Sequence, residues 1–135
     1  MIDQNTGWIN LGGISISPAL GQSEFQDSEL SKKATPMVIN MPWASYRIGF
    51  EQGDIVLQFK ESKLLSISII FNLPDEKPQE GWEAWSQENE KIRKQLHDQI
   101  LRDEVGSVSR VFRWGEVGSI ADPKTCDASI FIQYK

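Results

Sequence analysis

His97 and Cys126 are the one histidine and the one cysteine of this 135-residue chain, so nucleophile–base chemistry would have to run through them. A Cys126–His97 dyad steered by Asp122 or Asp127 can be drawn. Such dyads are made in space, however, and nothing in the spacing here supports one. We therefore expect His97 at the surface or at the boundary of the core. Single copies of each residue exclude an intramolecular disulfide, a cysteine-rich metal site and a histidine-based one. The 19 acidic residues permit many carboxylate pairs. None stands in an apolar setting, where desolvation would mark it by a raised pKa. No catalytic, cofactor-binding or metal-binding residue is assigned, no cofactor is expected, and the chain reads as non-enzymatic.

Two groupings are better suited to recognition than to reaction. Asn89 and Arg93 interrupt an apolar helical stripe. They would either satisfy backbone groups of a nearby loop or strand end, or open onto a polar cleft. Glu116, Asp122, Lys124 and Asp127 fall in the stretch from Trp114 to Asp127, which reads as an irregular connection or a polar recognition edge. In that stretch Asp122-Pro123 is turn chemistry, and Gly115 and Gly118 suggest a bulge or a close approach of another backbone. Trp43, Trp82 and Trp85 offer flat apolar platforms for a sugar or other small molecule. Trp82 and Trp85, on the stripe, are read as core anchors first.

A net charge of −5, with Lys32-Lys33 and the Lys91, Arg93, Lys94 group as the only basic clusters, lacks the basic stripe that phosphate backbones demand. No nucleic-acid partner is expected. The acidity serves solubility, or presents an acidic face to a basic partner. Gly12-Gly13 lacks the following helix and further glycines of a phosphate-binding loop. The first residues do not resemble a signal segment, and no stretch approaches the ~20 apolar residues of a membrane span. No membrane partner and a cytoplasmic location are the expectation. With 39% hydrophobic and 24% charged residues, residues 1–135 are expected to form a single domain.

These groups must be held by a small set of elements. Ile9, Leu11, Ile14 and Ile16 alternate around Gly12-Gly13. Ser23-Glu24-Phe25-Gln26 has the form of a capping box and opens a short helix to about Lys33, with Phe25 and Leu30 inward. Residues 37–41 are short and apolar, and residues 43–50, 55–60 and 64–71 alternate apolar and polar as antiparallel strands covered on one side do. Ala44, Tyr46, Ile48, Phe50, Ile55, Leu57, Phe59, Leu65, Ile67, Ile69 and Phe71 are candidate inward positions. A proline-rich loop over 73–81 leads into a helix over 82–104, ended by Gly106. Its stripe (Trp82, Trp85, Ile92, Leu96, Ile100) predicts burial of Trp85, Ile92, Leu96 and Ile100 against Tyr46, Leu57, Ile67, Ile69 and Ile132. Glu90–Lys94 and Asp98–Arg102 are i,i+4 pairs in the favoured order. Strands at about 109–117 and 128–134 close the chain. The fold class is α+β: an antiparallel meander of about six strands, a long helix on one face and a short N-terminal helix.

The series Trp85-Ser86, Glu90, Arg93-Lys94, His97-Asp98, then Trp114-Gly115-Glu116-Val117, Ser119, Asp122-Pro123-Lys124 and Ser129-Ile130 resembles a family of small uncharacterised bacterial α+β proteins. Some of these resemble the immunity proteins of polymorphic toxin systems. The resemblance covers residues 82–135, and the preceding meander matches in pattern only. It implies an intracellular, non-enzymatic protein and carries over no catalytic residue. The expected function is a protein-binding module, most concretely an immunity-type inhibitor whose acidic surface meets a basic toxin. The alternative is a small-molecule or carbohydrate binder using tryptophans beside Asn89 and Arg93.

Overall fold

The computed structural model describes residues 1–74, 87–122 and 127–135, so Trp82, Trp85, Lys124 and Cys126 lie outside the described residues. Its elements are β1 (Ile9–Leu11), β2 (Ile14–Ile16), α1 (Gln22–Gln26), α2 (Glu29–Lys32), β3 (Ala34–Asn40), β4 (Trp43–Phe50), β5 (Gly53–Lys60), β6 (Lys63–Phe71), α3 (Gln87–Val105), β7 (Ser109–Phe112), β8 (Gly115–Ala121) and β9 (Ala128–Tyr134). Among the described residues, seven strands form one antiparallel sheet in the order β3-β4-β5-β6-β9-β8-β7. The β1–β2 hairpin forms a separate two-stranded sheet. The fold class is therefore α+β, as the alternation predicted.

The meander arises because period-two patterning admits one register. Tyr46 faces Leu57, and Leu57 faces Ile67. Ile67 in turn faces Ile132, so one apolar row crosses four strands. Ile48, Ile55, Leu57, Phe59, Ile67, Ile69, Ile130 and Ile132 are fully buried, each contributing roughly 1.5–3 kcal/mol on leaving water. Gln58 pairs with Ser66 but Phe59 with Leu64, so Leu65 is an extra residue in the ladder. That bulge makes Leu64, not Leu65, the inward residue. The N-terminal hairpin and α1 cover one part of this face. Ile9, Ile16 and Phe25 join the core there, with the Phe25 ring 4.7 Å from that of Tyr46. α3 covers the part made by β8 and β9.

Three further expectations need correction. The helix expected from Ser23 to Lys33 is two short helices, and its N-cap is Gly21, with no side-chain cap. The segment 109–117 is not one strand but a hairpin, with Arg113 and Trp114 turning the chain between β7 and β8. Half of the expected Trp114–Asp127 connection is thus strand β8. The third correction concerns the helix stripe. Ile92 is 47% exposed and Leu96 and Ile100 only partly buried, whereas Arg93, His97, Leu101 and Val105 face the sheet. The helix is rotated by one residue, about 100°, from the face that its apolar spacing favours. Gly106 ends it as expected, with φ +82° and its N–H on the Arg102 carbonyl at 3.0 Å.

Candidate functional site

The rotation of α3 is explained by what the sheet lacks beneath it. Asn72 N–H bonds the Gln52 carbonyl on the β5 side. By the alternation of an antiparallel ladder, the N–H and C=O of Phe71 point the other way, toward β9. The β6–β9 register stops at Ile69–Ile130, leaving the backbone of Phe71 and Ala128 to be satisfied otherwise. Leaving such a buried group unpaired costs roughly 1–3 kcal/mol. Three side chains of α3 fill the gap. His97 Nε2 accepts from Phe71 N–H at 3.1 Å, and Arg93 Nη1 donates to the Phe71 carbonyl. Glu90 Oε2 accepts from Ala128 N–H at 3.2 Å and from Arg93 Nε at 3.0 Å. Glu90 is therefore spent on Arg93, and Lys94 turns instead to Asp98 at 2.5 Å. The expected Glu90–Lys94 pairing is replaced.

His97 is accordingly not a surface residue: it is fully buried, its ring 5.9 Å from that of Phe71. Desolvation, reinforced by the Arg93 cation, pushes its pKa from 6.5 down to about 4. The neutral ring, its Nε2 engaged by the Phe71 N–H, ties α3 to the end of β6. Arg93 is 4% exposed and bonds main chain and Glu90. Of the two readings of the stripe's polar residues, Arg93 thus meets the one that ties a strand end. Asn89 is half-buried in the first described turn of α3. Trp43 is half-buried at the start of β4, with Lys60 Nζ 5.0 Å over its ring.

Of the candidate recognition residues, Glu116, Asp122 and Asp127 lie on the opposite side of the sheet, away from α3. Register pairs Glu116 with Gln133, Gly118 with Phe131 and Ile120 with Ser129. Asp122 N–H bonds the Asp127 carbonyl at 2.9 Å, continuing the same ladder. Side chains two residues apart share a face, so Glu116, Gly118, Ile120 and Asp122 line up outward, as do Asp127, Ser129, Phe131 and Gln133. Glu116 stands at one end and the Asp122–Asp127 pair at the other, about 20 Å apart at strand rise. All three carboxylates are exposed. The expected edge is therefore two acidic ends of one face rather than a cluster in a loop.

Between those ends lies apolar surface that sequence reasoning did not single out. Phe131 packs over Gly118, where a Cβ would meet its ring at 2.4 Å. Ile120 is 45% exposed beside it. A shallow depression of about 380 Å³ opens there, its lining including Leu65, Ser66, Ser68, Ile120, Phe131 and Gln133. The signal that could have found it is parity: Gly118 and Ile120 share the parity of Glu116 and Asp122 once 115–121 is read as a strand. Gly115 holds that strand close to β9, since a Cβ on it would lie 2.0 Å from the Gln133 carbonyl oxygen. Among the described residues no group of three metal-ligating side chains converges and no helix is long and apolar enough to cross a membrane.

No protein-family model and no curated protein sequence matches the chain. A chain in the solved structure described as Rhs1-CT in complex with cognate immunity protein RhsI1 does match in shape. The TM-score is 0.60 at 14% identity, over 99% of this chain and 86% of that one. What the chain shares with that toxin–immunity complex is its fold.

Proposed function

We propose that this protein is an immunity-type inhibitor that binds a basic toxin through the outward face of β6, β9 and β8. The observation that carries the reading is the fold match over 99% of the chain to a structure of a toxin with its immunity protein. The resemblance of residues 82–135 to immunity-like proteins and the net charge of −5 point the same way. The surface has the anatomy of a partner site. Ile120 and Phe131 form an apolar centre, with Gln133 and Ser68 beside it and Glu116, Asp122 and Asp127 at its rim. Apolar centres supply most of the affinity, whereas rim charges raise association rate and select the sign of the partner. A cytoplasmic, bacterial setting and a contribution of Lys124 to the rim belong to the same proposal.

The test is co-expression with the toxin domain encoded beside this chain in its genome. Growth restored by the wild type, and lost with Ile120→Asp or with the triple reversal of Glu116, Asp122 and Asp127 to Lys, supports the reading. A neighbouring toxin that this chain neither binds nor neutralises refutes it.

A further inference from the structure

The two acidic ends of the outward face are held in different ways. Glu116 sits where the ladder is complete: it pairs with Gln133, and Gln133 pairs with Ser66 on the next strand. At the Asp122–Asp127 end β9 has lost that second neighbour, because its pairing with β6 stops at Ile69–Ile130. Two residues further, the same register would set Phe71 opposite Ala128, with the Ala128 N–H aimed at the Phe71 carbonyl. α3 occupies that place instead. The Ala128 N–H donates to Glu90 Oε2 at 3.2 Å, Arg93 Nε donates to the same oxygen at 3.0 Å, and Arg93 Nη1 donates to the Phe71 carbonyl. A carboxylate and a guanidinium are thus inserted into the ladder in place of one direct hydrogen bond.

The insertion fixes the peptide unit between Asp127 and Ala128. Its carbonyl accepts the Asp122 N–H at 2.9 Å from the β8 side, and its N–H is held by Glu90 from the α3 side. One rigid plane therefore connects a side chain on the buried face to the placement of both acidic residues on the outward face. Glu90 is itself fixed: its side chain is 14% exposed, and both of its oxygens accept from Arg93 Nε. Recognition groups need supporting contacts of this kind to hold their geometry. Resting on the partner face proposed above, we infer that Glu90 is a positioning residue for recognition. From the far side of the sheet it fixes the Asp122–Asp127 end of the rim, while the sheet alone fixes the Glu116 end. Charges placed in advance need no ordering when the partner arrives, so loosening this peptide weakens capture without removing a charge from the face.

Removing Glu90 alone would leave the Arg93 cation buried and unpaired, so the test is made on an Arg93→Met background. There Glu90→Gln keeps an oxygen for the Ala128 N–H, and Glu90→Ala does not. In the free chain, amide exchange at Asp122 should be about tenfold faster in Glu90→Ala than in Glu90→Gln, with the Glu116 amide unchanged. Titrated with the inactivated toxin domain encoded beside the chain, Glu90→Ala should bind about tenfold more weakly than Glu90→Gln. Adding Asp127→Asn should cost much less affinity in Glu90→Ala than in Glu90→Gln, whereas adding Glu116→Gln should cost the same in both. Equal exchange at Asp122 in the two variants overturns the inference. So does a loss of binding that couples equally to Glu116 and Asp127, the mark of general destabilisation. A wild type that binds no toxin refutes the proposed function instead, and the exchange comparison then decides by itself whether Glu90 holds the Asp122–Asp127 end.

Discussion

Burying one neutral histidine under a helix has a cost that pH exposes. In the fold His97 titrates near 4, against 6.5 for the unfolded chain. Between those values the unfolded state binds the proton and the folded state does not, so stability falls as pH drops. Integrating the linkage for one site gives a loss of about 2 kcal/mol by about pH 5 and about 3 kcal/mol by about pH 4, relative to pH 8. That is a large share of a typical folding free energy of about 5–15 kcal/mol. Urea unfolding at a series of pH values reads the loss directly. Carboxylates titrate in the same range, so the comparison is with His97→Gln, whose amide oxygen can still accept from Phe71 N–H. The variant loses the ring's packing against Phe71 and should be less stable at neutral pH by about 0.5–3 kcal/mol, and its profile should be flatter than the wild type's by the amount just given. The ring's own NMR titration in the folded protein should not begin until below pH 5. A folded-state midpoint near 6.5, or parallel profiles for the two proteins, would refute the reasoning.

Other consequences follow from the same contacts. Glu90→Gln leaves the Arg93 cation buried without its carboxylate and should cost about 2–4 kcal/mol. A double-mutant cycle with Arg93→Met, read by chemical denaturation, should give a coupling above about 1 kcal/mol. Gly115→Ala drives a methyl into the Gln133 carbonyl oxygen and should destabilise by about 3 kcal/mol or more, or rearrange the β8–β9 register, visible in the thermal midpoint and in amide exchange of β9. The β5–β6 turn holds Glu61 and Ser62 at φ +52° and +68°, a conformation that favours glycine or asparagine. Ser62→Gly should therefore stabilise by roughly 0.5–1 kcal/mol in urea, and a loss of stability would show that the turn is not strained.

Strands 43–71 were legible because each alternates and each turn is short, so sequence parity names the inward face everywhere but at Leu64–Leu65, where a bulge shifts it. The helix was legible in its extent but not in its rotation. Ile92, Leu96 and Ile100 are the apolar positions, yet the helix turns Arg93 and His97 inward because Phe71 and Ala128 need hydrogen-bond partners. That demand comes from strands 20 or more residues away and leaves no trace in the helix's own spacing. The β7–β8 hairpin was hidden because Arg113-Trp114 is not a recognisable turn pair and because Gly115 and Gly118 are poor strand formers. Both glycines are explained by β9, through Gln133 and Phe131, and only once the pairing is known. Reading that stretch as a loop also hid the outward line of Glu116, Gly118, Ile120 and Asp122. Its acidic members were picked out as recognition residues, but their arrangement at two ends of an apolar face was not.

The central claim is that the outward face of β6, β9 and β8 binds a basic toxin. Isothermal titration of the purified chain with the inactivated toxin domain encoded beside it tests this most directly. A one-to-one complex is predicted, with an affinity that weakens as salt is raised and with binding abolished by Ile120→Asp. No heat and no complex at any salt concentration, or undiminished binding by the Ile120→Asp protein, would contradict it.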